Sequence, residues 1–103
     1  MTLVVLVHEA LWKELDTTVH EVARLAMSSV GSHNHPNQHP DVKSIAGSKY
    51  PGSSRLRLGR WRLIFIFFPD ERTLAFTTAF LKKRESDYTQ AIARHDSRVK
   101  AFE

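Results

Sequence analysis

Arg55-Leu56-Arg57-Leu58-Gly59-Arg60-Trp61-Arg62-Leu63-Ile64-Phe65-Ile66-Phe67-Phe68 is the stretch that decides the fold. Arg and Leu alternate over 55–58 with the period of two that a strand requires. The apolar run that follows Trp61-Arg62 reads as a second, buried strand. Gly59-Arg60 suits a two-residue hairpin loop with Gly first, a common way to join twisted strands. That loop sets the register: Leu58 faces Trp61, Arg57 faces Arg62, Leu56 faces Leu63 and Arg55 faces Ile64. Leu56, Leu58, Trp61 and Leu63 then share one face, and Arg55, Arg57 and Arg62 the other. Like charges directly opposite each other in a sheet are destabilising, so folding gives no reason to set Arg57 against Arg62. One reading is a solvated face, since Arg is a common surface residue. The other is a phosphate-binding face, because guanidinium forks match phosphate oxygens and stay charged.

Downstream, Pro69-Asp70-Glu71-Arg72 reads as a four-residue loop that pairs Phe68 with Thr73, Phe67 with Leu74 and Phe65 with Phe76. Trp61, Leu63, Phe65, Phe67, Leu74, Phe76 and Phe80 are expected on one core-facing side. Ser86 to about Phe102 repeats Tyr88, Ile92, His95, Val99 and Phe102 at helical spacing, with Ser86 as N-cap and Asp87 favourable in the first turn. Upstream, Thr2 to Val7 reads as a buried strand. Leu11, Leu15, Val19, Val22, Ala26 and Val30 follow at helical spacing. Asp16 offers an N-cap within that segment, which predicts two helices or one bent helix. The polar stretch 31–40 is expected to be a loop and Val42 to Ile45 a short turn. Tyr50-Pro51-Gly52 supplies turn chemistry before the arginine strand.

The expected fold class is therefore α+β, a small single domain over 1–103. It comprises an N-terminal strand, one or two helices, a three-stranded antiparallel meander joining the sheet, and a C-terminal helix. A chain of 103 residues has room for one modest core. Its formal charge of +4 and sequence pI near 9.8 favour nucleic acid or an acidic protein as partner. The opening apolar run is too short for a membrane span and lacks a basic flank, so no membrane partner is expected. The absence of cysteine excludes disulfides, thiolate metal sites and a Cys nucleophile, and suits a cytoplasmic location.

Several features together resemble the RelE/ParE toxin superfamily of type II toxin-antitoxin systems, and its RelE-like branch in particular. These are the element order, the Lys43-Ser44-Ile45-Ala46-Gly47 lead-in, the 55–65 hairpin and the closing Lys82-Lys83-Arg84-Glu85-Ser86-Asp87-Tyr88 segment. The resemblance implies a ribosome-dependent, metal-independent endoribonuclease that cuts mRNA in the ribosomal A site and inhibits translation. It implies no cofactor, and a cognate antitoxin as partner beside the ribosome and mRNA. The branch carries basic residues at alternate positions of the second strand, an arginine on the third, a basic residue after the fourth and a tyrosine opening the last helix. Those positions fall on Arg55 and Arg57, Arg62, Lys82 and Tyr88. Arg stands on the second strand where the best-known members have Lys, Lys82 stands where Arg is usual, and no obvious His or Glu base ends the fourth strand.

Cleavage by a 2'-hydroxyl attacking its own 3'-phosphate requires removal of one proton, stabilisation of charge on the phosphoryl oxygens and protonation of the departing 5'-oxygen. The resemblance assigns Arg57 and Arg62 to the phosphoryl oxygens, and Lys82 to charge stabilisation or the acid role. Tyr88 is assigned to hydrogen bonding, proton transfer or base stacking; by its spacing alone it equally suits core packing. Arg55, Arg60, Lys83 and Arg84 would hold the RNA backbone. Two other functions fit the same fold: a ParE-like DNA gyrase inhibitor without catalysis, and a decayed member that only binds nucleic acid. His33, His35 and His39 allow a metal site, an RNA contact or a solvated loop. His8, His20 and His95 read as structural. Asp16 and Glu21 read as cap residues, Asp70 and Glu71 as turn residues.

Overall fold

Strand order is what places the basic face in this chain. The structure, a computed structural model, describes residues 2–103. Strands β1 (Val4–Val7), β2 (Val42–Ser44), β3 (Ser53–Leu58), β4 (Trp61–Phe68) and β5 (Thr73–Leu81) form one sheet in the order β1-β5-β4-β3-β2. β1 runs parallel to β5 and the other neighbours are antiparallel. Helices α1 (Glu9–Glu14) and α2 (His20–Gly31) connect β1 to the far edge, and α3 (Asp87–Val99) follows β5.

The two sheet faces carry different loads. Leu11, Leu15, Ala23, Met27 and Val30 of the first two helices bury Leu56, Leu63, Phe65, Leu74 and Phe76 in the main core. Helix α3 covers the opposite face, where Ile64 and Phe80 meet Ala91, and Ile66 and Ala75 meet Val99. β5 is thus buried over all but its last residue, which is why its sequence reads as an apolar run rather than an alternation.

The hairpin register is as the sequence predicts, with Arg57 opposite Arg62 and Leu58 opposite Trp61. Gly59 supplies the turn with a φ of 59°, a conformation that costs glycine nothing. The 8–30 segment resolves into two helices, α1 and α2, and Asp16 caps the one-turn Thr17–Val19 helix between them by accepting from Thr18 N at 2.9 Å. Gly31 ends α2 hard against β1: its carbonyl accepts from Leu3 N at 2.6 Å, and an added Cβ would lie 2.7 Å from Val5 Cγ2.

Five expectations need correction. Thr2 to Val7 is not a buried strand: β1 begins at Val4 on the sheet edge, and Val4 and Leu6 are exposed. Val42 to Ile45 is no turn: Val42–Ser44 is an edge strand on β3, with Lys43 opposite Arg55. The 31–40 loop contributes to packing, since Pro36 is buried in a one-turn helix and the His35 ring meets Phe67 at 5.1 Å. Ser86 makes no side-chain cap; Asp87 Oδ2 accepts instead from Lys83 N and Arg84 N, at 2.8 and 3.0 Å. Phe80 lies on the α3 face rather than with Phe76. The cause is a bulge: Phe65 pairs with Phe76 but Ile64 pairs with Thr78, so Thr77 has no partner on β4 and every later residue of β5 changes face. Among the described residues no helix is long and apolar enough to cross a membrane.

Candidate active site

Beside the N-terminal end of α3, the α3 face of the sheet opens into a cleft of about 500 Å³ lined by Lys43, Arg55, Arg57, Arg62, Lys82, Glu85 and Tyr88, with Ile45 and Ile92 at its apolar wall. The side chains carried by the sheet arrive there by strand parity. Arg55 and Arg57 of β3 and Arg62 of β4 point to the α3 side because Leu56, Leu58, Trp61 and Leu63 point to the main core. Lys43 joins them because it sits opposite Arg55. Lys82 continues β5 by donating its backbone N–H to Arg60 O at 2.9 Å. By counting residues from Phe76 it would face the other side; the Thr77 bulge turns it toward the arginines.

Most of these cations are held in place. Arg57 Nη2 donates to Asp41 Oδ1 at 2.9 Å, and Arg55 Nη1 to the Asp41 carbonyl at 2.6 Å. Arg62 Nη1 donates to the carbonyls of Gly59 and Trp61, at 2.8 and 2.9 Å, which ties the clamp to its own turn. Lys82 Nζ pairs with Glu85 Oε1 at 2.6 Å and stands 5.8 Å from the centroid of the Tyr88 ring. Tyr88 is fixed in turn by the Phe80 ring, met edge-on at 5.0 Å. Five cations therefore line the cleft against one carboxylate. The hydrogen bond from Lys82, followed by its charge and those of Arg62 and Arg55, holds Glu85 below the usual carboxylate range.

Arg55, Arg57, Arg62, Lys82 and Tyr88 are thus brought together, whereas Arg60, Lys83 and Arg84 do not line the cleft. Arg60 is exposed at the hairpin turn. Lys83 is exposed beyond β5, and Arg84 borders a separate groove with Phe80 and Arg94. Sequence reasoning missed Lys43, Asp41 and Glu85 as neighbours of the site. Lys43 sits on an edge strand too short to display a period, and the other two come from loops, so none of the three carries a local signal.

No histidine lines the cleft among the described residues, and the histidines play local roles. His33 Nδ1 lies 2.9 Å from Ser29 O, while His35 and His39 Nδ1 accept backbone N–H groups two residues on, both at 3.1 Å. Among the described residues no group of three His, Cys, Asp or Glu is arranged to hold a metal ion. His8 caps α1 through Ala10 N at 3.1 Å, and His20 Nε2 reaches Leu15 O at 2.8 Å. His95 is fully buried between Ser53 Oγ (2.8 Å from Nε2) and Thr77 Oγ1 (2.6 Å from Nδ1). Burial pushes it down to about 4, so it is a neutral strut of the fold.

The fold of the chain recurs in solved toxin structures. The archaeal RelE-RelB complex from Pyrococcus horikoshii matches at 20% identity, covering 82% of this chain and 99% of that chain with a TM-score of 0.64. The chain has a RelE-like fold. The E. coli toxin RelE in its free state, carrying two arginine-to-alanine substitutions, is 17% identical over 91% of this chain and 98% of that one, with a TM-score of 0.63. A RelB-RelE antitoxin-toxin complex from Methanococcus jannaschii is 21% identical over 81% and 96%, with a TM-score of 0.59. No family model and no curated protein sequence matches the chain.

Proposed function

We propose that this chain is the toxin of a type II toxin-antitoxin system and acts as a ribosome-dependent, metal-independent mRNA endoribonuclease. The observation that carries this reading is the convergence of Arg57, Arg62, Lys82 and Tyr88 on one cleft of a RelE-like fold. Fixed guanidinium groups are suited to the charge that builds on the phosphoryl oxygens during attack by the 2'-hydroxyl. Lys82 can supply the proton that the departing 5'-oxygen needs, and Tyr88 can hydrogen-bond or stack beside the nucleophile. Lys43 and Arg55 extend the positive surface along the backbone of the RNA. Arg60, Lys83 and Arg84 lie outside the cleft, and their contribution is to the ribosome or to flanking RNA.

An antitoxin partner is supported by the company of the matched structures, which include RelB-RelE complexes. The basic cleft suits an acidic segment of such a partner, and the exposed apolar side chains Val4, Leu6, Val22 and Leu25 suit an amphipathic one. Cytoplasmic residence follows from the proposed ribosomal target.

The test is induced expression in a bacterial host, with new mRNA 5' ends mapped against codon frame for the wild type, Arg62→Ala and Tyr88→Phe. Growth arrest with frame-locked cuts that both substitutions abolish is the expected result. Arrest with intact mRNA and DNA damage would instead establish a gyrase poison, and a soluble protein that causes no arrest would establish a binding-only member.

A further inference from the structure

Removing the 2'-hydroxyl proton needs a group that is unprotonated and holds a free lone pair, and the cleft offers few. Guanidinium groups scarcely deprotonate, an ammonium group has no acceptor, and a phenol brings its own proton. Among the described residues Glu85 is the single carboxylate that lines the cleft, and the surrounding cations favour its ionised form. It sits in the loop between β5 and α3, with its Oε1 2.6 Å from Lys82 Nζ. Its side chain is 81% exposed, so it can swing from Lys82 onto a bound ribose without disturbing the core.

We propose that Glu85 is the general base of the cleavage reaction and Lys82 its paired general acid. This rests on the ribonuclease reading above. Glu85 takes the proton from the 2'-hydroxyl; the 2'-oxygen bonds to phosphorus as the bond from phosphorus to the 5'-oxygen breaks. The departing 5'-oxygen takes a proton from the Lys82 ammonium. The products are a 2',3'-cyclic phosphate and a 5'-hydroxyl end, with Arg57 and Arg62 unchanged after holding the phosphoryl oxygens. Glu85 is left with one proton too many and Lys82 with one too few. The contact the two make in the free protein returns it directly, resetting both groups for the next cut.

A competing role is that Glu85 only occupies the anion site until RNA displaces it. The two roles give opposite results for Glu85→Gln, which removes the charge and keeps the shape. The experiment is single-turnover cleavage on ribosomes programmed with a defined mRNA, with binding of the protein to the same ribosomes measured separately. Lys82, Arg62 and Arg55 are the charged groups facing Glu85 from the sheet, Lys43 faces the same cleft from the edge strand, and Tyr88 faces it from α3. Glu85→Gln is expected to cut about 100-fold more slowly, the size of effect usual for a lost general base, with binding undiminished. The wild-type rate is expected to rise with pH on its acid limb and that limb to vanish in the variant, while Glu85→Asp recovers part of the rate. Glu9→Gln, on α1 and outside the cleft, is expected to match the wild type. If the wild type cuts and Glu85→Gln cuts at the same rate or faster, Glu85 is a placeholder and the base assignment is overturned. If the wild type itself does not cut, the ribonuclease reading falls, and this inference with it.

Discussion

His95 Nδ1 lies 2.6 Å from Oγ1 of Thr77, the β5 residue that has no partner on β4. The Ser53 hydroxyl donates to Tyr50 O at 2.9 Å, so it accepts from His95 Nε2–H, and Nδ1 is left to accept from Thr77. A buried imidazole on α3 thus holds the bulge that turns Lys82 toward Arg62. The bulge carbonyl is secured as well, since Arg98 Nη1 donates to Thr77 O at 3.0 Å. Packing on one sheet face and the charge of the cleft on the same face depend on this one irregularity.

Thr77→Val removes the hydroxyl and keeps the β-branched shape. It leaves His95 Nδ1 buried without a donor, which costs about 1–3 kcal/mol. Urea unfolding should show that loss in the midpoint with an unchanged slope. An unchanged midpoint would mean that the bulge is held by the Arg98 contact alone.

Acid should destabilise the fold through His95. Its folded value of about 4 lies below the ordinary 6.5, so between those limits the unfolded chain binds more protons. This contribution is therefore complete above about pH 6.5 and is lost as pH falls toward about 4; the whole span corresponds to on the order of 3 kcal/mol. Chemical unfolding at several pH values checks it, with His95→Gln as the comparison. The variant should be less stable at pH 7 and its stability should fall less steeply over this window.

Glu14 ties α1 to α3 across β5. Its carboxylate accepts from Arg98 Nη1 and Nη2 at 2.7 and 3.0 Å and forms an ion pair with Arg94, whose Nε lies 2.8 Å from Oε2. Both Glu14 and Arg98 are about four-fifths covered. Glu14→Gln leaves two guanidinium groups without their counter-charge, and the expected loss is about 2 kcal/mol, read from thermal unfolding. If Glu14→Gln melts with the wild type, the helices are joined by apolar packing alone.

How much of this was legible in the sequence depended on whether a local signal set the geometry. The 55–68 hairpin was readable because Gly59-Arg60 fixes the loop and the loop fixes every pair after it. The pairing of Phe68 with Thr73 followed likewise from the four residues between them. The face of Phe80 did not, because Thr77-Thr78 looks like any strand pair, and the bulge is decided by contacts with His95 and Arg98 some twenty residues later. The edge strand at Val42–Ser44 was hidden by its length: three residues cannot display a period. Arg55, Arg57 and Arg62 were assembled by strand parity alone. Lys82 belongs with them for a reason the sequence counted the wrong way, and Glu85 joins through a loop that has no period at all.

Tyr88 can be separated from its packing role. The hydroxyl is not needed for the edge-on contact with Phe80 at 5.0 Å, so Tyr88→Phe should unfold within about 0.5 kcal/mol of wild type. Cleavage on programmed ribosomes should nonetheless fall about 10-fold or more. Loss of stability with an unchanged cleavage rate would make Tyr88 a core residue.

Asp41 should restrain RNA binding, because its carboxylate already occupies one arm of the Arg57 fork at 2.9 Å. The pair is exposed, at 54% for Arg57 and 39% for Asp41, so it adds little to folding. It does compete with any phosphate for the same guanidinium. Asp41→Asn keeps an acceptor oxygen and leaves the backbone carbonyl that receives Arg55 Nη1 in place, while removing one negative charge from the rim. Affinity for a single-stranded RNA oligonucleotide at low salt should therefore rise several-fold. The dependence of log affinity on log salt should steepen by roughly 0.7 if one more phosphate is neutralised. Titration by fluorescence anisotropy over a range of KCl concentrations measures both quantities. Unchanged affinity and slope would place Arg57 outside the RNA path and leave Arg62 and Lys82 to hold the scissile phosphate.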